Sequence, residues 1–271
     1  MFSTLKHYVS VATCFIRLSI QKQFEYPMDI ISCFVMIPLM YGTGVLLLYF
    51  MVESYQPLAG WTFSQLVFLY GIGYLSHGLM MVFSAQNWWM ESYVIRGEFD
   101  RMLLRPINVF FHFTVTYINI IGFMDVAVGT TIFLYGCKLI GFNWSFGNII
   151  KIALIVIGAA LIRSSIFTIF CSSAFWTKRC ESLNLLLNEF LERTTLYPMS
   201  IYPYFLQLIL TFLIPVAFIS FYPACEFLGQ NSRFEIPLGM SVLTPVIGVF
   251  LFIVANLVFN YGLKKYESAG S

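Results

Sequence analysis

Apolar residues gather into six long runs: Ile30 to Phe50, Thr62 to Ser84, Ile107 to Gly136, Asn148 to Cys171, Tyr204 to Tyr222 and Gly239 to Gly262. A helix needs roughly twenty residues to cross the hydrocarbon core of a bilayer, so each run predicts one crossing, and the third could continue beyond it. Ahead of the first run, Leu5, Tyr8, Val9, Ala12, Phe15, Ile16 and Ile20 recur at helical spacing, with Lys6, Ser10, Arg17 and Gln21 between them. Residues 1–29 therefore read as an amphipathic helix, either lying on the membrane surface or packed on another subunit. Between the fourth and fifth runs, Leu183, Leu186, Leu187, Phe190 and Leu191 repeat in the same way among charges, and Pro198 closes the segment. That pattern predicts a second cytoplasmic or interfacial helix ending near Tyr197.

Composition changes the reading from "apolar helices" to "membrane protein". The chain is 59% hydrophobic and 10% charged, against about 25% charged in soluble domains. The position of the charges then sets the orientation. Residues 1–29, 85–106 and 172–203 and the tail after Gly262 hold eleven of the fifteen Lys and Arg residues. With six crossings all four segments share one side, which the bias of basic residues makes the cytoplasm, with both termini there. Residues 1–29 are too polar for a cleavable signal, so the first run is expected to serve as the insertion signal. The net charge of +2 gives no reason to expect a nucleic-acid partner. The stretch FYPACEFLGQNSRFEIP, 221–237, is apolar yet broken by Pro223, Gly229 and Pro237, and reads as a re-entrant outer element or a plain external loop.

Chemistry-bearing motifs are few. The chain has no nucleotide-binding GxxxxGK[ST] loop, and His7, His77 and His112 match no metal-ligand spacing. Its six cysteines are scattered without a CxxC pair. The GTG at 42–44 and GIG at 71–73 lie inside apolar runs, where small residues allow close helix packing. Hydrolytic or redox catalysis by this chain finds no support, and no cofactor site is expected on it. Two ionisable residues fall within crossings, Asp125 in the third run and Arg163 in the fourth. An Asp125–Arg163 ion pair between neighbouring helices is one reading; a cargo-contacting or proton-relaying Asp125 is the other.

The densest charge cluster is RGEFDRMLLRP, 96–106. Glu98, Arg101 and Arg105 share one helical face, Phe99, Met102 and Leu103 form an apolar one, and Pro106 marks a break before the third run. A positive-inside anchor would need the basic residues but not Glu98 and Asp100. Mixed charge beside an apolar ridge suits a docking surface for a soluble partner.

RGEFDRMLLRPINVFF, LYPMSIYP, IPVAFISFYPACEFLG and the ending YGLKKYESAGS together resemble the six-span permeases of type-2 ATP-binding-cassette exporters. The resemblance covers nearly the whole chain. It implies an all-α integral membrane fold with six transmembrane helices, an amphipathic connecting helix (1–29) before a membrane domain (30–271), and a cytoplasmic coupling helix within loop 85–106. It further implies that Arg96, Glu98, Phe99, Asp100, Arg101, Met102, Arg105 and Pro106 engage an ATPase. Two copies of that ATPase on separate chains would carry ATP and Mg, and a second permease subunit, identical or more often paralogous, would complete the path in a prokaryotic cytoplasmic membrane. The aromatic wealth of the runs, with 29 Phe and 16 Tyr, suits an apolar or amphipathic cargo such as a drug, lipid or hydrophobic peptide. Two competing functions are an ion-gradient-driven secondary transporter using Asp125 and a membrane-embedded lipid-modifying protein or assembly factor.

Overall fold

The computed structural model describes residues 2–55, 58–230 and 239–267, and its regular structure is helical. Helix α1 (Phe2–Gln23) turns at Tyr26 into α2 (Pro27–Tyr55), where Pro27 sits at the first helical position and loses no hydrogen bond by lacking an N–H. Only 6% of the apolar stretch of α2 is buried inside the chain, so its greasy side chains face outward, as on a helix whose surroundings are themselves apolar.

Helix α3 (Phe63–Ser84) is the opposite case, with 78% of its apolar stretch buried, and forms the axis of the molecule. It continues through a 3₁₀ turn into α4 (Met90–Ile95); Gly97, at φ +66°, then reverses the chain into α5 (Glu98–Leu103). A side chain at that left-handed position would be strained, which glycine avoids.

The third apolar run is not one helix. It divides into α6 (Val109–Thr116) and α7 (Ile121–Leu139) around Tyr117–Ile120. Partners for the freed backbone lie about a hundred residues away. Ser19 Oγ and Gln23 Nε2 of α1 donate to the Ile118 carbonyl at 3.0 and 2.6 Å, while the N–H groups of Ile118 and Ile120 donate to Ser19 Oγ and Gln23 Oε1 at 3.1 and 2.9 Å. Backbone groups freed by the break are thus paired, the condition for irregular backbone at or near a membrane.

Glycines weld α7 to α3. Gly122, Gly129 and Gly136 recur every seventh residue on α7, and Gly71 and Gly78 do so on α3. A Cβ on any of these five would lie 2.5–2.9 Å from backbone atoms of the other helix. Seven-residue spacing keeps the bare stripe on one side of each helix, and the backbones close over it.

Helix α8 (Phe146–Cys171) packs on α3 and against the last helix, and α9 (Ala174–Thr177) leads into α10 (Glu181–Leu196). The fifth run, Tyr204 to Tyr222, is not a single helix either. It comprises α11 (Tyr204–Leu208), a π turn at Ile209–Leu213, a 3₁₀ turn at Val216–Phe218 and the start of α12 (Phe221–Leu228). Pro215, which cannot donate a backbone bond, stands at the interruption. Helices α10 and α12 instead run end to end along α3. Asn184 bonds Asn87 below, Thr195 and Ser220 meet at Gly73 halfway, and Gln230 bonds Gln65 at the other end. Residues 231–238, the latter half of the expected outer element, lie outside the described residues. Helix α13 (Met240–Leu263) completes the bundle. Among the described residues, five helical stretches are long and apolar enough to cross a membrane: Pro27–Ser54, Phe63–Ile95, Ile121–Leu139, Phe146–Thr177 and Val242–Leu263.

Candidate functional site

The cluster at 96–106 folds as a short helix with two unlike faces. Phe99 is fully buried in a cage of rings supplied by other segments: Tyr93 at 5.9 Å, Phe113 at 5.7 Å, Phe175 at 5.1 Å, Phe259 at 6.0 Å and Tyr266 at 5.8 Å between centroids. Met102 is buried beside it. Outward stand Arg96, Arg101, Arg105 and Pro106, with Leu104 at 86% exposure and Leu103 at 50%. Leu103 therefore leaves the apolar face on which its spacing placed it and joins the charged one. Glu98 and Asp100 are half-buried at the edge. Of the residues expected to engage a partner, Phe99 and Met102 grip the helical bundle, and the arginines and leucines form the open ridge.

A second contact ties this helix to α1. The Arg105 guanidinium lies 5.5 Å over the Phe15 ring, and its Nη1 is 3.2 Å from His112 Nε2. Phe15 and His112 rings are 4.8 Å apart. Burial, and then the Arg105 charge, hold the His112 imidazole below its ordinary pKa. It stays neutral near pH 7 and accepts the arginine's hydrogen bond. Helix α1 is packed on α6 and bonded to the break beyond it.

The family described as ABC-2 family transporter protein matches residues 38–270. The chain belongs to the ABC-2 transporter family. It is an ABC-2 type permease, the membrane subunit rather than the ATPase, and membership implies association with an ABC ATPase. No curated protein and no solved structure matches it.

The permease keeps its two intramembrane ionisable residues apart. Asp125 is 5% exposed and accepts a 2.6 Å hydrogen bond from Tyr41 Oη. Arg163 is 1% exposed, and its Nη2 donates to Thr195 Oγ1 at 2.6 Å. Asp125 sits on α7, which meets α3 along Gly71 and Gly78, whereas Arg163 sits on α8, which meets the end of α3 at Ser84 through Ser164. The ion pair expected from sequence does not form: among the described residues the ion pairs are Lys151–Glu226 and Arg193–Glu189. Arg163 Nε and Nη1 are buried without a partner, next to the point where α10 stops and α12 resumes.

Reasoning from sequence also missed a polar seam joining α3, α8 and α10. Ser84 meets Ser164 at 2.6 Å, and Asn87 bonds Thr168 Oγ1 at 3.1 Å. Glu91 Oε2 caps α10 by accepting the N–H groups of Cys180 and Glu181 at 2.6 and 2.8 Å. Small hydroxyls inside apolar runs were the only signal, and hydropathy averages them away. No group of His, Cys, Asp and Glu able to hold a metal occurs among the described residues.

The Tyr41–Asp125 bond yields a prediction. Tyr41→Phe leaves a buried carboxyl without its donor, at a cost of about 1–3 kcal/mol. Asp125→Asn keeps an acceptor and is expected to cost less. Thermal unfolding of the purified permease ranks the two; a Tyr41→Phe protein as stable as wild type would contradict the assignment.

Proposed function

We propose that this permease is one half of an export channel, driven by two copies of a separate ATPase that dock on the Arg96–Pro106 ridge. Its membrane would be the cytoplasmic membrane of a prokaryote, with both termini in the cytoplasm. The crossings would number six, the fifth assembled from α10 and α12 as two half-helices. A second permease subunit, paralogous or identical, would cover the outward apolar face of α2. ATP and Mg belong to the partner ATPase, and their binding there would shift the inward and outward populations of the membrane helices.

One observation carries this reading: a short helix whose buried half is locked into the bundle by Phe99 while its other half displays Leu104 and three arginines to solvent. Exposing a leucine to 86% has no use in the chain alone, and arginine is enriched among the residues that carry binding energy at interfaces. Affinity purification in mild detergent tests it. Wild type should carry an ATPase with it; Arg101→Glu combined with Leu104→Asp should lose the ATPase while the permease stays monodisperse. Retention of the ATPase by that variant, or transport that ignores ATP, would overturn the reading.

A further inference from the structure

A cavity of about 780 Å³ opens where the α1–α2 turn, α4 and the start of α10 converge. Its size is within the range of small-molecule sites, about 300–1,000 Å³. Two features of its wall occur together. Tyr26, Trp88, Trp89, Tyr93 and Tyr117 line it, and the fold leaves Tyr26 at 63% and Trp89 at 55% exposure. Packing therefore does not account for these two rings.

The charges are the second feature. This end of the molecule is rich in Lys and Arg, yet the cavity presents Asp29, Glu91, Glu98 and Glu181 against only Lys22 and Arg96. Aromatic residues alone would be ordinary membrane-interface anchors, and basic residues would be the ordinary charge for a cytoplasmic face. Carboxylates in excess are neither. Glu91 is partly used, since Oε2 caps α10. Among the described residues the ion pairs lie elsewhere, so the remaining carboxylates are not neutralised by the two cations.

We infer that this cavity is a loading site for cargo with an organic cation on an aromatic or aliphatic body. Ring faces attract such a cation and cover its apolar body, and the carboxylates supply the opposite charge. An anionic cargo would meet repulsion. The inference rests on the permease reading, and it narrows the cargo to one chemical class. It also places that cargo beside the coupling helix, because Arg96 and Glu98 line the cavity and flank the ridge. Occupancy can then act on the helix that the ATPase touches.

Two probes of the same shape and opposite charge provide the test, tetraphenylphosphonium and tetraphenylborate. Full-length permease in phosphatidylcholine nanodiscs is titrated with each, and binding to empty nanodiscs is subtracted. Saturable binding of the cation, at least about tenfold tighter than of the anion, is expected. Asp29→Asn with Glu181→Gln, and separately Trp89→Leu, should each weaken the cation by about tenfold while leaving thermal stability unchanged. Equal binding of both probes, preference for the borate, or full cation affinity in the variants would overturn the inference. ATPase co-purification from the same cells keeps the two readings separable. A permease that carries its ATPase but fails to bind the cation sinks the cargo class alone; one that binds the cation without an ATPase sinks the ATP-driven reading alone.

Discussion

Phe99→Ala is expected to destabilise the end of the permease that carries the 96–106 segment by about 3–5 kcal/mol, the range for emptying a buried aromatic site. The five surrounding rings come from α4, α6, α9, α13 and the segment after it, so the cavity left behind cannot close by moving one side chain. Function should fail in a specific way. The exposed ridge of Leu104 and the arginines remains, so the ATPase still binds, but its movement no longer reaches the bundle. ATP hydrolysis by the purified complex should continue while ATP-dependent protection of the permease from protease is lost. Phe99→Leu, which refills most of the volume, should restore most of that protection. Full protection in Phe99→Ala would mean that force passes elsewhere.

Gly129→Leu should abolish folding. A Cβ there already falls 2.9 Å from Leu75 N and 3.0 Å from the Tyr74 carbonyl carbon, both backbone atoms that no rotamer change can move. Overpacking a core commonly costs about 1–3 kcal/mol, and here the four-carbon side chain must force whole helices away from each other. Their separation would also draw α7, with Asp125, away from the Tyr41 side chain beside Tyr74. The expected result is no monodisperse peak by fluorescence-detected size exclusion. Gly147→Leu is the control, because a Cβ at exposed Gly147 meets only the Ser145 hydroxyl at 3.9 Å, and it should behave as wild type. A normal peak for Gly129→Leu would contradict the glycine seam.

Hydropathy made four of the expected crossings legible, since α2, α3, α8 and α13 fill the first, second, fourth and sixth runs. It failed where the chain is held by something outside the run. Within Ile107 to Gly136 the break at Tyr117–Ile120 is marked by Asn119, whose Oδ1 accepts the Ile121 N–H at 3.0 Å, but the side chains that pair Ile118 and Ile120 are Ser19 and Gln23 of α1. Helix α10 was legible in extent, ending at Leu196 ahead of Pro198, but not in depth. Its charges, Glu181, Glu189, Glu192 and Arg193, read as a water-facing helix, while its other face, with Asn184, Leu187, Leu191 and Thr195 buried, rises along α3. Asp125 and Arg163 were found by their rarity in apolar runs. Their partners were not, because a periodic pattern tells which face a residue occupies but not which helix covers it.

The ridge at 96–106 shows the same division. Spacing gave it two faces and Pro106 gave it an end, but the assignment of Leu103 and Leu104 to the outside follows only from the direction in which Gly97 launches α5. That direction also decides what a partner would meet: leucines between arginines rather than Phe99.

Contact between this ridge and an ATPase is the central claim, and site-specific photo-crosslinking tests it most directly. With p-benzoylphenylalanine in place of Leu104, irradiation of intact cells should join the permease to a polypeptide that carries a nucleotide-binding GxxxxGK[ST] loop. The same residue in place of Phe146, similarly exposed at the other end of the molecule, should give no such adduct. An ATPase adduct at Phe146, or none at Leu104 in cells where the permease is folded and abundant, would contradict the account.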